Sequence, residues 1–360
     1  VCHISTAHTA RDIRIFQKEC KSLFSAGYQV YYVVSHPSAE VIDGVRIVPL
    51  PATTSRFRRI FIHSWIAFFK AIGTGASIYH FHDPEFLPAA LMLRLLGKRV
   101  VYDVHEHLSK DILDKPWIRP QFVRNAVSLM IGFFEKISAS LLSGVVAATS
   151  HIAEQFNPTN TVTVRNFPIL HFLSSIPAST SLSPDKKILV YAGALTRIRG
   201  IRQLVEAMSY LPDDVELLLA GAWEDASLEV ECKAAKGWSK CVYAGLLPQD
   251  ETYAIMKAST AGMLTFLPAA NHFEAMPNKA FEYLACGLPI VLSDFPYWRE
   301  LFGHQAIYVN PLEPASIASG ISKVLGGEFE RGRKGGNTHV LSWENEESVL
   351  LDFYKKILSN

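Results

Sequence analysis

The chain has 360 residues, 49% hydrophobic and 19% charged, with a net charge of +1. That is globular material for about two domains, and it excludes a disordered chain and a polycation built for nucleic acid. Residues 1–170 carry 18 Lys/Arg against 12 Asp/Glu, an excess of six cations, whereas the remainder is acidic by five. An anionic partner is therefore expected on the first half.

The chain opens on VCHIS, which reads as a strand and carries no signal-peptide pattern. After a polar loop, RIFQKECKSLFSAG reads as a helix with Phe16, Cys20, Leu23 and Phe24 on one face and Gly27 as its stop. Strands follow at YQVYYVVS, ASIYHFHD, KRVVYDVHE, GVVAATS and TVTVRNFP, with helical stretches between most of them. Residues 171–186 are rich in Ser and Pro and read as a linker. A second series of strands comprises KKILVYAGA, VELLLAG, AGMLTFL, PIVLSD and AIYVNP. The closing SWENEESVLLDFYKKIL reads as an amphipathic helix carrying Val349, Leu350, Phe353, Tyr354 and Leu358. Such alternation predicts parallel sheets covered by helices on both faces. The expected domains are 1–170, the linker 171–186, 187–342, and a terminal helix 343–360 returning to the first domain.

The five cysteines form no C-x-x-C pair and are odd in number, which favours a reducing cytoplasm over a disulfide scaffold. No apolar run reaches the ~20 residues needed to cross a bilayer. The segment SRFRRIFIHSWIAFFKAIG, within residues 55–73, sets Arg56, Arg58, Arg59 and Lys70 beside Phe57, Ile60, Phe61, Trp65, Phe68 and Phe69. It reads either as a helix lying in a membrane interface or as an ordinary aromatic cover for the sheet.

Ligands of open parallel sheets sit beyond the carboxyl ends of the strands. Those ends offer His8 and Asp12, then His82 and Asp83, then His105 and Glu106. A single histidine there is as readily a local hydrogen-bonder. Three at equivalent strand ends point to one crevice. No metal is expected, since these positions lack the i, i+4 spacing of common zinc sites and no thiolate joins them.

The second half offers NHFEAMPNKAFEYLACGLPIVLSD. Pro277 suits a first helical turn, Gly287 and Pro289 end the helix, and Ala280, Phe281, Leu284 and Ala285 form its apolar stripe. Asn278, Lys279 and Glu282 lie off that stripe. Free N–H groups beside a lysine make a diphosphate site, and a carboxylate one turn on can accept hydrogen bonds from a ribose diol. The alternative is a surface Lys279–Glu282 pair worth ~0.3 kcal/mol.

Glu274 and Glu282 form an E-x7-E motif followed by YLACGLPIVLSD. Together with HTARDIRIFQKE, HFHDPE, VYDVHE, VRNFP and SWENEESVLLDFY in order, it resembles the retaining family 4 glycosyltransferases, especially bacterial surface-polysaccharide members. The resemblance covers nearly the whole chain. It implies an α/β GT-B fold, two Rossmann-like domains facing across a cleft. It implies a retaining hexosyltransferase that takes a UDP- or GDP-linked sugar, without further cofactor, to a glycan or lipid-linked acceptor. The expected location is cytoplasmic, on the inner face of the membrane if residues 55–73 bind it. By the resemblance Glu282 binds the ribose, Glu274 faces the donor sugar, and the amides near Asn278 and Lys279 meet phosphate or sugar. His105 touches the sugar near its reacting carbon, and Lys110 lies on the acceptor side. His8, Asp12 and His82 are further cleft candidates. YAGALTRIRG aligns with the loop that supplies an Arg and a Lys to the diphosphate, but Ala194 stands at the Arg position and Arg199 at the Lys position, with Arg197 as a candidate substitute. Alternative readings are a nucleotide-sugar-binding protein without catalysis and a GT-B-fold nucleotide-sugar epimerase.

Overall fold

The computed structural model describes residues 1–53, 55–113, 119–327 and 341–359. Residues 328–340 of the expected second domain and the Arg56 side chain lie outside the described residues. The chain divides into two compact units, Val1–Asn166 with Trp343–Asn360, and Phe167–Ser342.

In the first unit the strands are β1 (Cys2–Thr9), β2 (Tyr31–Ser35), β3 (Glu40–Ile42), β4 (Val45–Leu50), β5 (Ile78–Phe81), β6 (Arg99–Val104), β7 (Gly144–Ala147) and β8 (Thr161–Thr163). They form one sheet in the order β3-β4-β2-β1-β5-β6-β7-β8, parallel except for the β3–β4 hairpin. Asp43 and Gly44 make the hairpin turn, both at positive φ, as a two-residue turn requires.

Strand alternation sorts this unit into two faces. Cys2 pairs with Tyr79 and Ile4 with Phe81, and these side chains join one apolar core with Ala67, Phe68, Leu87 and Leu93. That face is covered by α2 (Ser64–Gly73), α3 (Leu87–Leu95) and α5 (Gln121–Leu141); α4 (Leu108–Leu113) packs on α5. Right-handed crossovers place the helices that connect β4 to β5, β5 to β6 and β6 to β7 on a common side. The alternate residues, led by His3 paired with His80, face the π-helical segment Ile13–Cys20, which runs into α1 (Lys21–Ser25).

The terminal helix, α8 (Trp343–Ser359), lies on this second face. Trp343 Nε1 donates to Ser22 Oγ at 2.9 Å, Glu346 accepts from the Arg165 N–H at 2.7 Å, and the Tyr354 hydroxyl meets His80 Nδ1 at 2.6 Å. Its buried positions are Trp343, Glu346, Leu350, Phe353, Tyr354 and Ile357. Val349 and Leu358, expected on the apolar face, are exposed.

The second unit is a six-stranded parallel sheet in the order β11-β10-β9-β12-β13-β14. Its strands are β9 (Lys187–Ala192), β10 (Val215–Ala220), β11 (Cys241–Gly245), β12 (Ala261–Leu264), β13 (Ile290–Ser293) and β14 (Ala306–Val309). The first two pair in sequence, then the order reverses at the β9–β12 neighbours, which is the switch point of a doubly wound sheet. Residues 171–186, expected as a linker, include most of α6 (Leu170–Ser175), and Leu173 and Ile176 are buried in this unit's core. Lys257 Nζ donates to the Leu173 carbonyl at 2.6 Å, so the segment is held by side-chain burial and a charged donor.

Candidate functional site

In the first unit the residues turned away from the apolar core build a buried polar layer. Arg14 is central to it: Nε donates to Asp103 Oδ2 at 2.9 Å, Nη2 to Oδ1 at 2.7 Å, and Nη1 to the Val164 carbonyl at 2.9 Å. His82 Nδ1 and His105 Nε2 lie 3.1 and 2.9 Å from the same Oδ2. Burial alone would raise the Asp103 carboxyl. The Arg14 guanidinium and the two imidazoles outweigh it and hold the group well below the usual carboxylate range. An ionised carboxylate only accepts, so both histidines present N–H groups to it. His82 Nε2 is then the acceptor for His3 Nδ1, 3.0 Å away.

Glu19 is fully buried beneath this layer, with Oε1 3.2 Å from Arg14 Nε. Burial and the neighbouring Asp103 push its carboxyl well above the usual range, against the pull of Arg14. Donor atoms of His3, Glu19, His80 and His82 approach within 4.8 Å of one another, a spacing open to a cation. Arg14 and Asp103 balance each other, His3 bonds His82 and His80 bonds Tyr354. Arg14, His82 and His105 position Asp103, while both Glu19 carboxyl oxygens and His80 Nε2 are buried with no hydrogen-bond partner among the described residues.

His8 and His105 stand at the rim, each partly exposed, with ring centroids 5.5 Å apart. His8 Nδ1 lies 3.0 Å from Asp12 Oδ2, and Asp12 Oδ1 accepts from the Ile15 N–H at 2.9 Å. Burial would raise Asp12, but the His8 hydrogen bond and the Ile15 N–H lower it to about 2. Burial would lower His8, but Asp12 and Asp83 raise it above its ordinary value. Asp83 accepts from Ser5 Oγ and the Thr6 N–H, both at 2.7 Å. The side chains of His8, Asp12 and His105 therefore come together at the end of this sheet. His82 does not join them: its imidazole is wholly buried, so it acts on Asp103 from beneath. Lys110 is half-buried on α4, on the helix that packs on α5.

Arg14, Glu19 and Asp103 were not singled out from sequence. Their signal was present: a carboxylate inside the apolar run VVYDV, and an arginine and a glutamate on a helix that packs on a sheet.

In the second unit the loops after β9 and β12 are knitted together. The Leu267 N–H donates to the Ile198 carbonyl at 2.8 Å. Gly200 has φ +70°, and a Cβ there would lie 2.0 Å from the Thr265 carbonyl oxygen, so only glycine fits. Arg199 is thereby set at the switch point, its guanidinium 5.6 Å over the Phe266 ring and its Nη1 3.4 Å from the Ala194 carbonyl. Arg197 is held by Glu231 through two contacts of 2.6 and 2.8 Å.

The helix α7 (Asn278–Ala285) starts at Pro277, which offers no side-chain cap. Tyr283 fixes it: the ring packs on Gly262, and the hydroxyl accepts from the Ala192 N–H at 3.0 Å. Asn278 is exposed and Lys279 half-exposed. Glu282, expected off the apolar stripe, is buried and accepts from Lys279 Nζ at 2.6 Å. Burial of Tyr283 with Ala280 and Phe281 rotates the inner face by one residue and leaves Leu284 and Ala285 half-covered. Glu274 is exposed in the loop before α7, which Trp298 anchors by donating Nε1–H to the Ala275 carbonyl at 2.9 Å.

Residues 174–337, which include all five of the donor-side residues named above, match the family model "Glycosyl transferases group 1". Among curated relatives, an uncharacterised glycosyltransferase of Methanocaldococcus jannaschii is 28% identical over 152 residues, 41% of this chain and 38% of that protein. The O-antigen chain mannosyltransferase B of Escherichia coli is 27% identical over 178 residues, 46% of this chain and 45% of that protein. These matches span less than half the length of either relative. Among solved structures, the sucrose-phosphate synthase of Thermosynechococcus elongatus superposes with a TM-score of 0.77 at 17% identity, over 99% of this chain and 98% of that one. The fold is GT-B, as the sequence resemblance implies.

Proposed function

We propose that this chain, which carries a group 1 glycosyl transferase domain, is a retaining glycosyltransferase. It moves a hexose-type sugar from a UDP- or GDP-linked donor to a glycan or lipid-linked acceptor, in cell-surface polysaccharide synthesis. The observation that carries this reading is the disposition of α7: an uncapped helix start with a cation beside it and a nearly buried carboxylate one turn further in.

In this reading the donor breaks the Lys279–Glu282 pair. Lys279, the amides at Asn278 and Arg199 meet the diphosphate, and Glu282 accepts the ribose hydroxyls. Departure of the nucleotide leaves negative charge on its phosphate, which these fixed cations and the helix start stabilise. Glu274 orients the sugar hydroxyls. His105, oriented by Asp103, contacts the sugar near its reacting carbon, while His8, Asp12 and Lys110 serve the acceptor side. Retention follows from front-face attack assisted by the leaving phosphate, so no two-carboxylate pair of the glycoside-hydrolase type is assigned.

A lipid-linked acceptor agrees with membrane contact through residues 55–73. Phe57, Phe61 and Phe69 are exposed there while Ala67, Phe68 and Ala71 cover the sheet, which supports a segment that both covers the sheet and meets the membrane. Among the described residues no helix is long and apolar enough to cross a membrane. Release of nucleoside diphosphate from a panel of nucleotide sugars, with and without acceptor, tests the reading. Acceptor-dependent release supports transfer, and acceptor-independent conversion of the sugar supports an epimerase.

A further inference from the structure

Helix α5 is built inside out. Its buried residues are Ser128, Glu135, Ser138 and Ala139, small or polar, with the Tyr102 hydroxyl donating to Glu135 at 2.9 Å. Its outer side carries Leu129, Met130 and Phe133, exposed by 75%, 72% and 68%. Ile137 and Leu141 continue that stripe at helical spacing and are also exposed. A water-facing helix has the reverse pattern.

The neighbours extend the surface. Helix α3 touches both α2 and α5, and its Leu95 is 82% exposed; on α2, Phe69 is 70% exposed. Three helices on one side of one sheet, α2, α3 and α5, thus present large side chains outward. Exposed apolar side chains gathered on one side of a sheet mark an interaction surface. The charge pattern selects the occupant. Residues 55–73, α3 and α5 contain Arg58, Arg59, Lys70, Arg94, Arg124 and Lys136, and their only carboxylate is Glu135, which is buried. Apolar side chains interspersed with cations, without an exposed acid, match an anionic lipid interface.

We infer that the outer surface of α2, α3 and α5 docks flat on an anionic membrane, with α5 as its principal inserted element. This deepens, and rests on, the membrane contact proposed through residues 55–73. It assigns the larger apolar contribution to a helix further along the chain, whose Leu129, Met130 and Phe133 enter the acyl boundary while Lys136 meets headgroup phosphate. Docking of this kind brings the first unit to the lipid without any spanning segment.

The test is sedimentation of the full chain with vesicles of phosphatidylcholine alone and with about a third phosphatidylglycerol, at low and high salt. The parent should sediment with anionic vesicles and retain part of that binding at high salt, because apolar insertion is not screened. M130E/F133E should lose vesicle affinity by about tenfold or more at both salt concentrations, with its melting temperature and nucleoside diphosphate binding unchanged. M130S/F133S gives a milder version if the glutamates disturb folding. K70E/K136E should weaken only the salt-sensitive part. The inference is overturned if the parent sediments with neither vesicle, or if M130E/F133E sediments like the parent. It is also overturned if the surface instead forms a concentration-dependent dimer that M130E/F133E dissolves. Transfer to a glycan and to a detergent-solubilised lipid-linked acceptor, measured in parallel, separates this result from the enzymatic reading: absence of both in the parent defeats that reading and leaves the vesicle result standing.

Discussion

Asp103 Oδ2 lies 2.9 Å from His105 Nε2, which ties a partly exposed imidazole at the end of β6 to a carboxylate that is itself wholly buried. The Arg14 guanidinium holds Asp103 through two further hydrogen bonds, so the anchor does not depend on the histidine. His105→Ala therefore leaves Asp103 paired. We predict a melting temperature close to the parent's and a transfer rate lower by about two orders of magnitude, the scale lost when a positioned acid–base or electrostatic group is removed. A lowered melting temperature with unchanged transfer per folded molecule would assign His105 to the fold.

Asp103→Asn should behave differently. It removes the counter-charge of a buried arginine, which costs about 3–5 kcal/mol when one partner of a buried pair is lost. We predict a large drop in unfolding free energy by denaturant titration, together with lost transfer. Parent-like stability would contradict the Arg14–Asp103 account.

On the donor side, Glu282→Ala and Glu274→Ala should separate binding from turnover. A buried charge-assisted contact to a ribose diol is worth ~1.5–3 kcal/mol. Calorimetry should show Glu282→Ala binding the free nucleoside diphosphate more than about tenfold more weakly. Glu274→Ala should keep that affinity and lose transfer rate. If both variants bind and turn over like the parent, the donor assignment around α7 is wrong.

Glu135 gives a pH test of the inside-out helix. Burial raises its carboxyl from 4.5 to about 7, with the Tyr102 hydrogen bond opposing the rise. The folded chain then binds more protons than the unfolded chain between these values. Stability contributed by this group is complete below about 4.5 and falls as pH rises toward about 7. Glu135→Gln removes the titration. The stability of the parent relative to this variant should fall by about 3 kcal/mol across that interval. A difference independent of pH would show that Glu135 is solvated.

Much of this arrangement is legible in the sequence, because parallel strands announce themselves as apolar runs and place chemistry at their ends. The strand ends bearing His8 and His105, and the helix start at Asn278, are read that way. Where the reading slips, a polar group occupies the inner face. Glu346 is buried by a partner distant in sequence, Arg165, and Glu282 is buried beside Lys279 one turn before it, and each conceals the true stripe of its helix. Phe24 was placed inside by a 3.6-residue period, but Ile13–Cys20 is π-helical, so the face advances differently and Phe24 ends exposed beside Gly44. The β3–β4 hairpin carries its signal in Asp43–Gly44, a two-residue turn that a reading by apolar runs does not register. The exposed stripe of α5 is the hardest case, since an apolar period reads as core whichever way it faces.

The central claim is transfer of a sugar with retention. Nucleotide sugars of known anomeric configuration should be incubated with a glycan or lipid-linked acceptor, and the new linkage followed by NMR. We expect nucleoside diphosphate release that requires acceptor, and a product with the donor's anomeric configuration. Acceptor-independent release, or a product of inverted configuration, would contradict the account.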